Sequence, residues 1–109
     1  VLQHVIDTER IFAYRALRIA RNDATPLPGF DENHYATASN ANNRTLKSLQ
    51  KELVTVRNAT DALIESFTEE MLLQTGTASN HTINVNALVF IIYGHLLHHK
   101  YILESRYSI

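Results

Sequence analysis

Apolar residues recur every three or four positions along three long stretches of the chain, a spacing that places them on one face of an α-helix. The first predicted helix covers 1–22, contains no Gly or Pro, and carries apolar side chains around more than half of its circumference. The run at 25–29, Thr-Pro-Leu-Pro-Gly, separates it from the second because proline lacks the amide donor of a helix. The second helix is predicted over 40–67 and the third over 85–107.

Shorter elements are predicted between these helices. The polar stretch 30–39 is a connector with room for one helical turn. Thr68 followed by two acidic residues is typical of a capped short helix that ends near Gly76, and 77–84 is predicted to be a polar loop. Three long helices with short connections predict an all-α, up-down antiparallel bundle. Bundles of this size commonly have four helices, so we expect a fourth helix before Val1 or from another subunit.

Composition narrows the classes of function. The 109 residues predict a single domain over 1–109, and the absence of Cys excludes disulfides, thiolate metal sites and a thiol nucleophile. The 10 Lys and Arg nearly balance 11 Asp and Glu, which gives no electrostatic case for nucleic acid or an anionic membrane. No apolar run approaches the roughly 18 residues of a membrane span, and no secretion signal opens the chain. We therefore expect a cytoplasmic protein.

Candidate chemistry concentrates in the histidines, three of which lie in the run Gly-His-Leu-Leu-His-His at 94–99. His95 and His99 are four residues apart, so they share one helical face, and they lie in the centre of its apolar stripe. Each buried imidazole needs partners for two ring nitrogens, and adjacent imidazoles compete for the same partners. Because a divalent metal ion takes one nitrogen from each ring, a metal site is favoured over two packed core histidines. His98 is expected beside the site or at the surface.

A third ligand is required, and His4 is the best candidate because antiparallel packing would bring the start of the first helix near the last. Asp7 and Glu9 are weaker candidates, as ligands, as acceptors that orient an imidazole, or as proton-transfer groups. Glu9 lies within the apolar arc of its helix, and the interpretation we favour is an ion pair with an Arg or a dimer contact. His34 and His81 lie in predicted loops and are expected to be exposed.

Other standard catalytic motifs are absent. There is no G-x-S-x-G, no P-loop and no G-x-G-x-x-G. A zincin protease needs H-E-x-x-H, whereas Leu96 stands at the position of that Glu, which argues against a protease of this type. Tyr93 is a weak candidate for proton transfer, because it falls far around its helix from His95. Arg44 is a possible anion-binding residue, but it is expected to be an exposed residue at the start of a helix.

The chain resembles the DinB-like (DNA-damage-inducible, YfiT-like) superfamily of small bacterial proteins. The similar stretches are residues 4–21, 25–33, 94–99 and 102–107. The resemblance implies a four-helix bundle that often forms homodimers, with a metal site on His4, His95 and His99. It also implies that the first helix of this chain is the second of the family, so that the family's first helix is missing. Three imidazoles suit zinc, nickel, iron or cobalt equally.

Two functions follow as expectations. The resemblance implies a metal-dependent hydrolase, or a transferase that uses a small thiol such as bacillithiol, mycothiol or glutathione as cosubstrate. The alternative is a non-catalytic, stress-related dimeric bundle in which any metal is structural. The complete set of three histidines favours the enzyme. Leu96, where close relatives are expected to carry Glu, and the missing helix favour the structural role.

Overall fold

The computed structural model describes residues 2–107 of the chain, with side chains described for residues 2–100. Helices and one small antiparallel sheet account for its regular structure. The helices are α1 (Leu2–Ala20), α2 (Glu32–Ala38), α3 (Leu46–Glu65), α4 (Glu69–Leu72) and α5 (Val85–Tyr107), a 3-10 turn covers Ala41–Asn43, and the strands are β1 (Thr75–Ala78) and β2 (His81–Asn84). The expectation of a mostly helical protein is therefore confirmed, with a hairpin added.

Side-chain caps mark where α3, α4 and α5 begin. The side chains of Thr45, Thr68 and Asn84 each accept a hydrogen bond from the backbone amide three residues further on. The starts predicted at Thr68 and Asn84 are thus confirmed. The middle helix begins later than the predicted residue 40, because Asn40 has a positive φ of 57° that cannot continue into a helix and Thr45 supplies the cap.

The loop prediction for 77–84 is wrong, because this segment belongs to a β-hairpin. The pairing runs from Thr75 opposite Asn84 to Ala78 opposite His81. Only two residues, Ser79 and Asn80, connect the strands, and both have positive φ (50° and 66°). A tight turn of this kind matches the twist of the strands, and it is usually signalled by Asn-Gly or Asp-Gly rather than Ser-Asn.

The connector at 30–39 is also more ordered than predicted, since it contains the two turns of α2 (Glu32–Ala38). Asp31 begins this helix by accepting hydrogen bonds from the amides of Asn33 and His34. The segment before α2 is tied to the hairpin. The Leu27 amide donates to Thr77 O at 2.8 Å, and the Leu27 carbonyl accepts from the Ser79 amide at 3.0 Å. The hairpin thus holds this segment against the rest of the fold.

Helix α1 lies at the centre of the described structure and packs against both α3 and α5. This arrangement is what its wide apolar arc predicted. The hairpin also contacts α1, so closely that a Cβ added at Gly76 would lie 2.6 Å from Ile19 Cγ1. The buried apolar residues are Leu2, Val5, Ile6, Ala16, Ile19, Ala20, Leu27, Val56, Ala78, Val85, Leu88 and Ile92.

The outer surfaces of α3 and α5 are less buried than their patterns predicted. The apolar spacing of the two helices includes Leu46 and Ile91, which predicts that both are buried, yet both are exposed. Ile102 and Leu103 belong to the same spacing and lie outside the residues with described side chains. Phe90 and Leu97 on α5 are 71% and 63% exposed, although large apolar side chains of this kind usually pack against a neighbour. Among the described residues, no helix is both long enough and apolar enough to cross a membrane.

Candidate metal centre

Three histidines from opposite ends of the sequence meet where α1 begins. The antiparallel packing of α1 on α5 places His4 beside His95 and His99. The ring centroid of His4 is 5.3 Å from that of each of the other two, whose centroids are 4.3 Å apart. One ring nitrogen of each residue lies within 4.8 Å of those of the other two. The structure therefore brings together the three residues proposed as ligands from the sequence.

The closest pair of nitrogens has the separation expected for two ligands of one ion. His95 Nε2 and His99 Nε2 are 3.0 Å apart. With metal–nitrogen bonds of about 2.0–2.1 Å, two ligands that subtend 90° to 110° at the metal are about 2.9–3.4 Å apart. The pair therefore fits a common divalent ion without a large movement of either ring.

The ring of His99 is only partly hydrogen-bonded among the described residues. Its Nδ1 is buried and has no hydrogen-bond partner among the described residues. If His99 and His95 are both neutral, one proton can be shared between their Nε2 atoms, and the contact uses the capacity of only one nitrogen on each ring. This orphaned nitrogen is costly, since a buried polar group without a partner loses its hydration, and an ion held by the two Nε2 atoms would not relieve it.

Burial keeps these imidazoles neutral. It lowers the pKa of His99 to about 4, with further lowering from the adjacent His95 and His4. Burial is also the largest cause of the lowered pKa of His95, followed by the charge of His4. At neutral pH both rings are therefore unprotonated at one nitrogen, which is the form of imidazole that binds a metal.

A cavity of about 210 Å³ opens beside His4, between α1, α2 and the 3-10 turn. Asp7 and Glu32 provide carboxylates to its wall, and Phe30 and Tyr35 provide aromatic rings. The charge of Glu32 acts to raise the pKa of His95, against the larger effect of burial. Glu32 was not predicted as a site residue because it lies in the predicted connector, although Asp31 before it is a recognisable helix N-cap.

The two weaker candidates, Asp7 and Glu9, lie in different surroundings. Asp7 lines this cavity and accepts a hydrogen bond from Gln3 Nε2 at 3.0 Å. Glu9 is 4% exposed, and both of its carboxylate oxygens are engaged. Arg57 donates to one at 2.6 Å, and the Thr60 hydroxyl donates to the other at 3.0 Å. The ion pair favoured for Glu9 is present.

The same network extends to α5. Arg57 also pairs with Asp61 at 2.6 Å and lies 5.1 Å from the centre of the Tyr93 ring. The Tyr93 hydroxyl donates to Asp61 at 3.1 Å. Burial is the largest cause of the raised pKa of Tyr93, followed by the Asp61 carboxylate. Glu9 and Tyr93 thus belong to one polar cluster that joins α1, α3 and α5.

The remaining histidines and Arg44 lie outside the three-histidine cluster. His98 is exposed, with its ring 5.3 Å from that of His99. His34 and His81 are exposed as expected, but they lie in α2 and β2 rather than in loops. Arg44 is partly buried and pairs with Glu52 at 2.5 Å, so it is not the free cation that an anionic substrate would need.

Comparison with known proteins agrees with the resemblance described above. A sequence model of the DinB superfamily matches residues 1–103. The chain belongs to the DinB superfamily. No match was found among curated proteins or among solved structures. In this DinB-superfamily chain, the matched range includes all three clustered histidines, and the cluster could hold a metal ion.

Proposed function

We propose that this DinB-superfamily protein binds one divalent metal ion through His4, His95 and His99 and acts as a metal-dependent hydrolase or thiol-dependent transferase. The observation that carries the proposal is the meeting of three imidazoles, two of them with nitrogens 3.0 Å apart. Zinc, nickel, iron and cobalt all suit this donor set. When bound, such an ion lowers the pKa of a coordinated water or thiol and supplies a nucleophile near neutral pH.

The cavity beside His4 is the proposed place for the substrate. Phe30 and Tyr35 line part of it with aromatic rings. Glu32 and Asp7 are the carboxylates that line it, and we assign proton acceptance to Glu32 because Asp7 is already hydrogen-bonded to Gln3. Glu9 is not assigned a chemical role, since Arg57 and Thr60 occupy both of its oxygens.

A second candidate is supported by the exposed face of α5. Phe90 and Leu97 present apolar surface that a fourth helix or a second copy of the chain would cover. We propose that the complete assembly is an up-down four-helix bundle that forms a homodimer, in which the metal ion stabilises the fold without catalysis. The two candidates share the metal site and differ in whether a substrate reaches it.

Elemental analysis of the purified protein tests the shared part. We expect about one divalent metal ion per chain, lost in His95→Ala and His99→Ala. His98→Ala is the matched control, because this exposed histidine lies on the same helix and should leave the metal content unchanged. Circular dichroism of each variant would show whether the helices persist. Failure of the folded wild-type protein to retain or take up any metal would contradict both candidates.

Activity separates the two candidates. The metal-loaded protein would be assayed with ester and amide substrates, and with an electrophile in the presence of each small thiol. Turnover that is lost in His99→Ala and reduced in Glu32→Gln, with metal content retained in the latter, supports the enzyme. A metal-loaded dimer without turnover, and with a thermal midpoint that falls on chelation, supports the structural role.

A further inference from the structure

Arg15 is a buried arginine that forms no ion pair with any of the described residues. Its side chain projects from the middle of α1, and the residue is only 7% exposed. One nitrogen, Nη2, donates to the Pro28 carbonyl at 3.0 Å and to the Ser79 hydroxyl at 3.1 Å. No carboxylate among the described residues forms an ion pair with it. Burial lowers the pKa of Arg15, yet an arginine stays charged at any ordinary pH. An unbalanced charge of this kind is costly to bury.

The donor capacity of Arg15 is only partly used. A guanidinium has five N–H groups, and the three on Nε and Nη1 have no hydrogen-bond acceptor among the described residues. The Cζ atom lies 5.3 Å and 5.9 Å from the ring centres of Phe12 and Phe30. Cation–π contacts of this kind do not supply a hydrogen-bond acceptor, so the free N–H groups remain available to one.

A cavity of about 290 Å³ borders the Arg15 side chain. It lies between α1, the segment before α2, and α2 itself, and its wall includes Tyr14, Phe30 and Tyr35. Arg18 also lines it, but the charge of Arg18 is balanced by Asp23 at 2.6 Å. The cavity therefore carries one unbalanced positive charge on a largely aromatic and aliphatic wall. Its volume is close to the lower end of the range for small-molecule sites.

We propose that this Arg15 cavity binds the carboxylate of a small organic acid with an aromatic or aliphatic body. The planar edge of a guanidinium matches the two oxygens of a carboxylate, which gives a pair of parallel hydrogen bonds. A carboxylate is a monoanion and so balances the single free charge, whereas a phosphate dianion would exceed it. Phe30 and Tyr35 also line the cavity beside His4, so the body of the acid would lie next to the three-histidine cluster. The binding itself does not depend on a metal ion.

Benzoate is a suitable probe, and benzamide is its neutral control of nearly the same shape. Both would be titrated into the protein after it has been treated with a chelator, and binding would be followed by amide resonances in NMR spectra. We expect benzoate to shift the resonances of Arg15, Phe30 and Tyr35, and benzamide to bind at least about tenfold more weakly, because it lacks the charge. Equal binding of the two compounds, or benzoate shifts confined to other residues, would overturn the proposal.

Substitutions locate the site. Arg15→Met retains the aliphatic stem and should weaken benzoate binding by about tenfold or more, whereas Arg21→Met, at an exposed arginine one residue beyond the end of the same helix, should leave it unchanged. If Arg15→Met does not fold, Arg15→Lys is the second variant, which retains the charge and should still weaken binding because it lacks the planar edge. Unchanged affinity in a folded Arg15 variant would refute the site. Tighter binding of inorganic phosphate than of benzoate would refute the assignment to carboxylates.

Discussion

Glu9→Ala is expected to destabilise the protein strongly, because it removes one partner of a buried ion pair. Glu9 is 4% exposed on α1, and the Arg57 side chain on α3 is 15% exposed. Their oxygen and nitrogen are 2.6 Å apart, and the Thr60 hydroxyl is bonded to the other carboxylate oxygen. After the substitution, the Arg57 cation and the Thr60 hydroxyl would remain in a site with little access to water.

The size of the effect follows from what Arg57 retains. Removing one partner of a buried pair usually costs about 3–5 kcal/mol. Arg57 keeps its contacts with Asp61 and the Tyr93 ring, so we expect a loss at the lower end of this range, about 3 kcal/mol. Glu9→Gln keeps one acceptor oxygen for Arg57 and places an amide NH2 beside Thr60, whose hydroxyl can turn to accept from it, so a smaller loss of about 1–2 kcal/mol is expected. A chain of this size has a total stability of about 5–15 kcal/mol, so both losses are measurable.

Urea unfolding at pH 7, followed by circular dichroism, measures these differences. The double variant Glu9→Leu/Arg57→Met replaces the pair with apolar groups and should lie close to the wild type. The single variants Glu9→Leu and Arg57→Met should both be strongly destabilised, so the three together would give a large coupling energy in a double-mutant cycle. Arg10→Ala is the matched control. Arg10 forms an exposed ion pair with Glu52 on the same two helices, so its loss should cost less than about 1 kcal/mol.

A loss below about 0.5 kcal/mol for Glu9→Ala would refute the reasoning, because a surface substitution has an effect of that size. Metal content gives an independent check. Glu9→Gln should bind metal as the wild type does, since Glu9 is engaged with Arg57 and Thr60. If Glu9→Gln kept its stability and lost its metal, Glu9 would be a site residue instead.

Two further predictions concern packing and pH. Gly76→Ala should destabilise the protein by about 1–3 kcal/mol, because the added Cβ would overlap the Ile19 side chain. Gly94→Ala is the control, and it should stabilise the protein by about 0.5–1 kcal/mol because open space surrounds Gly94 on its helix. Equal effects of the two substitutions in thermal melts would contradict the packing of the hairpin on α1. In the metal-free protein, burial is the main cause that lowers the pKa of His99 to about 4. The unfolded chain therefore binds a proton more readily than the folded chain, so the free energy of unfolding should be constant above about pH 6.5 and should fall as the pH is lowered from there toward 4. His99→Leu should flatten this dependence in urea unfolding, and an unchanged slope would contradict it.

Local sequence signals predicted the helical elements. The apolar spacing of α1, α3 and α5 and the caps at Thr68 and Asn84 depend on interactions within a few residues, so they are visible in the chain itself. The His95–His99 pair belongs to the same class, since a separation of four residues places both on one helical face. The third histidine, His4, needed the expectation of antiparallel packing and the family resemblance, because nothing local joins it to the pair.

The β-hairpin and the face that covers each helix were decided by tertiary contacts. Ser79 and Asn80 are weak turn signals, and they keep their left-handed backbone where the hairpin is held by Arg15 and Leu27 from distant parts of the chain. Leu46 and Ile91 match a helical stripe as well as Leu88 does, yet only Leu88 has neighbours that bury it. The spacing of apolar residues indicates which face of a helix is apolar, but it does not indicate which part of the protein packs against that face.

The sites divide in the same way. Residue types and spacing determined that His95 and His99 could share a ligand, because both are carried by one rigid helix. Only the folded chain decided that Glu32 lines the cavity beside His4 and that Arg15 is buried beside a cavity. The hydrogen bonds from Arg57 and Thr60 to the Glu9 carboxylate also exist only in the folded chain. A charged group acquires its chemical role from partners that are distant in sequence, and the energy of burying it depends on which of those partners the fold supplies.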